Sequence, residues 1–171
     1  MKACKEPTFA FVLLGILCAA CSISYSFTGS SIDYETTKTI TVSDFPNQAP
    51  LIYPPLAQKF TEELKDLFIR RTKLRMISTN GDIDLEGEIT GYDLAPMAIK
   101  EDAYSSRTKL TLTIRVRYTN RSNPDKDFEQ SFSANREFNS DQMLETVQDA
   151  LNEELVKEIT ELIFNSTVAD W

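Results

Sequence analysis

The sequence predicts an α+β domain: a single sheet of about four strands with two helices packed on one face, in the order β-α-β-β-β-α. Three observations predict it. Apolar and polar residues alternate in three successive segments, 82–90, 107–119 and 127–134, the pattern of strands with one buried and one wet face. Two other segments, one opening at Pro54-Pro55 and one near Ser140, carry apolar residues at helical spacing, each forming a single apolar stripe. Because half of every strand is polar, both helices are expected on the same sheet face, which leaves the other face open.

The chain begins with a targeting pattern. Lys2 and Lys5 precede the apolar or small-residue run Phe9 to Ala20, which ends in Ala19-Ala20 just before Cys21. The run suits a secretory signal peptide and is too short for a spanning helix, which needs roughly 20 apolar residues. Two small residues before a cysteine resemble the bacterial lipobox, where cleavage falls just before a cysteine that carries diacylglycerol. Cys18 stands where that motif usually has leucine, and a frame with Cys18 as acceptor would put Gly15-Ile16-Leu17 before it, a poorer match. Residues 1–20 are therefore expected to be a lipoprotein signal peptide and Cys21 the lipid acceptor.

The alternatives are an ordinary signal with a chance cysteine, or an uncleaved anchor. The cysteine count weighs against the first. Cys4, Cys18 and Cys21 are the only three, so removing the leader leaves one thiol, which can form no internal disulfide in an oxidising compartment. Two or three acyl chains hold a protein firmly where one binds reversibly. Ser22, Ile23 and Ser24 follow Cys21, with no aspartate resembling an inner-membrane retention signal and no acidic cluster resembling a surface-export signal. The expected place is the periplasmic side of the outer membrane.

Composition narrows the function classes. Without Lys2, Lys5 and Glu6 the chain carries 16 basic and 25 acidic residues, a net charge of −9, which argues against general nucleic-acid binding. It contains no histidine, which excludes histidine-based triads and removes the commonest transition-metal ligand. No cofactor is expected.

Residues 21–36 read as the lipidated cysteine and a Ser/Thr-rich tether, part of which, notably Tyr25 and Phe27, has the composition to dock on the domain. One domain follows, 37–171. Thr37 to Val42 is a strand by its Thr/Ile/Val alternation. Leu56, Phe60, Leu64, Leu67 and Phe68 form the stripe of the first helix, with Arg70, Arg71 and Lys73 at the negative end of its dipole. The apolar sides of the three strands are Ile83, Leu85 and Ile89 with Gly87 between them, then Leu110 to Tyr118, then Phe128, Phe132 and Ala134. The linker from Asn120 to Asp127 has hairpin chemistry. Ser140 is the expected N-cap of the last helix, whose stripe runs from Leu144 to Ile163.

Three constellations bear on function. The row Asp82, Asp84, Glu86, Glu88 has the residue types for glycoside hydrolysis or a hard cation. Cross-strand ion pairing with Lys109, Arg115 and Arg117 on the next strand accounts for it more simply. Those three basic residues, in turn, are candidates to contact the phosphates of a lipid headgroup. The segment from Phe45 to Pro55 is either a partner-docking loop or a stiff strand-to-helix connector. Asn120-Arg121-Ser122 and Asn165-Ser166-Thr167 match the glycosylation pattern by chance in such a setting, and Trp171 either caps the core or meets a partner.

Several stretches in order, "ITVSDFPNQAPLIYPPLAQKFTEELKDLFIRRTKL", "GDIDLEGEITGYDLAPMAI", "LTLTIRVRYTN", "DFEQSFSANREF" and "EELVKEITELIFNSTVADW", resemble the LptE family of lipopolysaccharide-assembly lipoproteins in its Bacteroides-like branch. The resemblance implies a non-enzymatic outer-membrane lipoprotein with a sheet backed by two helices. It implies a seat inside the LptD-type β-barrel, where the protein plugs the pore, helps the barrel assemble and assists lipopolysaccharide insertion. A pilotin or a barrel-assembly accessory lipoprotein is the alternative, and an enzyme acting on periplasmic glycans through the acidic row is a third class.

Overall fold

The structure is a computed structural model that describes residues 32–97 and 106–168. The leader, Cys21, the tether up to Ser31 and Trp171 lie outside the described residues. The elements are β1 Thr39–Val42, α1 Pro55–Arg71, β2 Arg75–Met76, β3 Ile83–Pro96, β4 Arg107–Asn120, a single 3-10 turn Pro124–Lys126, β5 Phe128–Asn139 and α2 Leu144–Val168. They form one mixed five-stranded sheet in the order β2-β1-β3-β4-β5. β1 runs parallel to both β2 and β3, and β3, β4 and β5 are successive antiparallel neighbours.

The α+β class and the two-helix layer are as the sequence predicts, and the differences have physical reasons. The fifth strand, β2, has two residues, too few for an alternation to show. β3 continues past Thr90 because the register shifts between Ile89 and Gly91. A bulge adds one residue and resets the alternation, so Tyr92 returns to the helix side, fully buried. Its hydroxyl accepts hydrogen bonds from Gln148 Nε2 and Asn152 Nδ2 of α2, both at 2.9 Å. β5 runs on to Asn139 although Arg136 interrupts its apolar row. That guanidinium is held 2.6 Å from both Glu154 and Glu158 on α2, and these carboxylates raise its pKa. Ser140 does not cap α2, which starts at Leu144. Its hydroxyl lies 2.9 Å from that of Thr108 and its N–H donates to Ser106 O, extending the β4–β5 ladder.

α1 begins as expected with Pro54 and Pro55 at its start and ends in Arg70 and Arg71. Arg71 does more than oppose the dipole. It makes two bonds of 2.7 and 2.6 Å to Glu161 of α2 and lies 5.6 Å from the Phe164 ring centre, so the two helices are joined at this end.

The centre of the core lies between the helices and β3. Phe45, just after β1, is 1% exposed and packs edge-on against Phe60 of α1 at 5.1 Å. A Cβ on Gly87 would sit 2.5 Å from the Phe45 ring and 2.1 Å from the Arg115 carbonyl oxygen. The gap in the apolar side of β3 is therefore the seat of Phe45. The segment around it is a connector that pairs with β3: Ser43 N–H donates to Leu85 O, Ile89 N–H to Pro46 O and Gln48 N–H to Ile89 O, each at 2.9 Å.

Phe45→Ala removes a buried ring that nothing nearby can replace, and an urea titration should show a loss of about 3–5 kcal/mol. Gly87→Ala should cost about 1–3 kcal/mol by forcing the ring and β4 apart, although alanine is otherwise the better-behaved residue in a strand.

Candidate functional site

The sheet face away from the helices carries the functional candidates. Alternate residues of β4 are buried from Leu110 to Tyr118, so Arg107, Lys109, Thr111, Thr113, Arg115 and Arg117 all project to the other side. The register places Asp84, Glu86, Glu88 and Asp93 of β3 and Glu129, Ser131, Ser133, Asn135 and Glu137 of β5 on the same face. Hydroxyl and amide residues occupy its middle, where Thr113 and Ser133 hydroxyls lie 3.1 Å apart, and charges occupy both ends.

The charges are paired across strands. Arg115 lies 3.3 Å from Glu88, Arg117 3.2 Å from Glu129 and Arg107 3.2 Å from Glu137, while Arg121 holds Asp84. Glu86 stands opposite Arg117 in the register. Of the three basic candidates, Arg115 and Arg117 are neighbours that line one shallow depression of about 310 Å³ with Glu86, Gly87, Glu88 and Glu129. Lys109 is six residues along the same strand, roughly 20 Å away at about 3.3 Å per residue, between Ala95 and Glu137. The structure thus brings two of the three together and leaves the third apart.

The acidic row separates in the same way. Asp82 leaves it: its Oδ2 accepts from the N–H groups of Lys38 and Thr39 at 2.9 Å and from the Thr39 hydroxyl at 2.8 Å. The Lys38 N–H first, then the Thr39 hydroxyl, hold the Asp82 carboxyl below its ordinary pKa. This carboxylate fixes the start of β1 against β3. Asp84 and Glu88 are held by arginines, so the row has no two free carboxylates facing one space. Among the described residues no group of three acidic or other ligating side chains converges to hold a metal ion. The partners Arg121, Glu129 and Glu137 escaped the sequence reading. The apolar alternation of β5 breaks at Arg136, before Glu137, and Arg121 sits past the end of β4.

Among the described residues no helix is long and apolar enough to cross a membrane. A family model described as LptE, lipopolysaccharide-assembly, matches residues 37–167, a span that includes all five strands, α1 and all but the last residue of α2. Curated proteins give no match. Among solved structures, the chain is similar to a hypothetical protein from Chlamydia trachomatis, with TM-score 0.50 and 10% identity over 77% of this chain and 98% of that one. It is also similar to a minor lipoprotein from Acinetobacter baumannii (TM-score 0.47, 14% identity, 78% and 97% covered) and to rare lipoprotein B from Shewanella oneidensis (0.44, 7%, 74% and 89%). At 10% identity the first of these likenesses is one of fold.

Asp82→Asn keeps the shape and weakens the three bonds to the start of β1, a loss of about 1–3 kcal/mol at neutral pH. Because the folded pKa lies below the unfolded value of about 3.9, the charge stabilises fully above that value and ceases to do so as pH falls through the folded pKa. Parallel denaturation of the two proteins should show their difference shrinking below about pH 4.

Proposed function

The chain belongs to the LptE family of lipopolysaccharide-assembly proteins, and on that premise we propose that it is the non-enzymatic lipoprotein subunit of a lipopolysaccharide export translocon in the outer membrane. The family match over 37–167 is the observation that carries this reading. In it, Cys21 bears the lipid, residues 1–20 are the cleaved signal, and the domain faces the periplasm.

The partner is an LptD-type β-barrel, with the domain in the lumen as plug and assembly aid. The geometry suits such a seat. Barrel interiors are polar and hydrated, and the open face offers hydroxyls, amides and closed ion pairs rather than apolar surface. A lipid anchor reduces the search for the barrel to two dimensions.

Lipopolysaccharide meets the face at Arg115 and Arg117. Both side chains are about half exposed or more, and ion pairs in such positions contribute about 0–1 kcal/mol. Exchanging a carboxylate for a ligand phosphate, which an arginine can grip through two parallel bonds, therefore costs little. Lys109 is the outlying member of the set.

Affinity purification of the tagged, lipidated protein from detergent-solubilised outer membranes should recover a large β-barrel in about equal amount. Recovery of the protein alone, or with a secretin, would overturn the pore-subunit reading. With purified protein, Arg115→Glu plus Arg117→Glu should weaken lipopolysaccharide binding about tenfold, or about 1.4 kcal/mol. Lys109→Glu should weaken it less. Unchanged binding in the double variant would remove the two arginines from the site.

A further inference from the structure

β5 is the last strand of the sheet, twelve residues long and paired to β4 without a register shift. Ser140 N–H donates to Ser106 O in the same register, so the even-numbered residues of β5 bond to β4 and the odd-numbered ones point their N–H and C=O groups outward. The outward N–H groups of Glu129, Ser131, Ser133, Asn135 and Glu137 meet no acceptor among the described residues, and all five residues are exposed. Such an edge is a template for another strand, and native proteins ordinarily blunt it with proline, lysine, a bulge or an inward-pointing charge. β5 has no proline, lysine or bulge between Phe128 and Asn139. Its one charge on the helix side, Arg136, is drawn onto α2 by Glu154 and Glu158, which leaves the edge open.

The rim of this edge is acidic. Glu129 and Glu137 stand on the open face, and Glu154 and Glu158 stand beside β5 on the helix side, around the single guanidinium of Arg136. The arginines that pair with Glu137 and Glu129 are Arg107 and Arg117 of β4, one strand further in. The four carboxylate side chains are 37–62% exposed, so a strand laid along the edge can reach them. A second copy would bring two such rims together, and like charges side by side are destabilising. We propose that the free edge of β5 takes up an extended, basic segment of the barrel partner as a sixth strand. The inference rests on the translocon reading and says how the two proteins are joined.

The edge itself states what it takes. Its outward donors and acceptors recur at about 7 Å, two residues apart along the strand, a spacing that another extended backbone matches. Main-chain bonds then give the affinity and alternate side chains give the specificity. On the open face Ser131, Ser133 and Asn135 lie between Glu129 and Glu137, which calls for small polar side chains in the middle of the incoming segment and Lys or Arg toward its ends. Glu129 and Glu137 already have arginine partners, and exposed pairs of that kind contribute only about 0–1 kcal/mol, so sharing the carboxylates with a second cation costs little.

The sheet offers this at one side only. Its opposite edge is β2, with two residues, too short to template a strand. A partner that adds to β5 therefore fixes which side of the domain is turned toward it, and the open face next to Glu129 and Glu137 is turned with it.

Residue-resolved hydrogen exchange tests this on the lipidated protein purified from detergent-solubilised membranes, measured with its barrel bound and again after separation. With the barrel bound, the amides of Ser131, Ser133 and Asn135 should exchange at least about tenfold more slowly than in the separated protein, with Phe132 and Ala134 unchanged. Two variants accompany it. Ser133→Pro removes an outward donor while the bonds to β4 stay in place, and Glu129→Lys plus Glu137→Lys reverses the charge of the rim. Each should lower recovery of the barrel about tenfold, with Phe132 and Ala134 still slow as a check on the fold. Fast outward amides in the barrel complex overturn the inference and leave the translocon reading standing, whereas recovery of no barrel overturns both. Outward amides that stay slow after separation overturn the inference, because the cover is then a second copy or the chain itself. Full recovery of the barrel by the charge-reversed variant overturns the basic segment.

Discussion

The seat of the Phe45 ring on Gly87 is the contact on which the rest of the arrangement depends. β1 has four residues and β2 two, too little backbone pairing to hold their side of the sheet. The ring ties the segment after β1 to β3 and, through Phe60, to α1. Remove it and the contacts that join this segment to α1 and to β3 are lost together. A glycine in mid-strand costs roughly 0.5–1 kcal/mol in backbone entropy; here that loss is offset by burying an entire aromatic side chain.

The open face follows a different economy. Each of its four arginines is paired with a carboxylate, so the surface has little net field despite its density of charge. Each exposed pair contributes little to stability. What the pattern does is keep a broad polar face from binding every passing ion, while leaving each arginine free to trade its carboxylate for a better anion. The core behind it supplies rigidity, because alternate residues of the same strands are fully buried from Leu110 to Val116.

How much of this could be read in the sequence depended on period. β4 and the two helices were legible because their patterns run long enough to repeat. β3 and β5 were legible only as far as their alternation held: Thr90 adds a residue at the bulge, and Arg136 occupies an apolar position because two glutamates on α2 receive it. Gly87 was visible as a gap, but nothing local says which distant ring fills it. For the candidate site, the shared face of Lys109, Arg115 and Arg117 followed from parity alone. The partners of the arginines needed the register of two hairpins, and Asp82 needed the parallel contact with β1, more than forty residues away.

That parallel contact also orders events in time. β3, β4 and β5 are joined by short connections, whereas Thr41 meets Asp84 only across a chain that must first form α1. Closing the longer loop costs more entropy before any contact rewards it. The antiparallel meander is thus the natural nucleus, and β1, the first strand in the sequence, is the natural last piece. In a chain delivered N-terminus first, the earliest strand to arrive therefore waits for the far end of the polypeptide before it can pair.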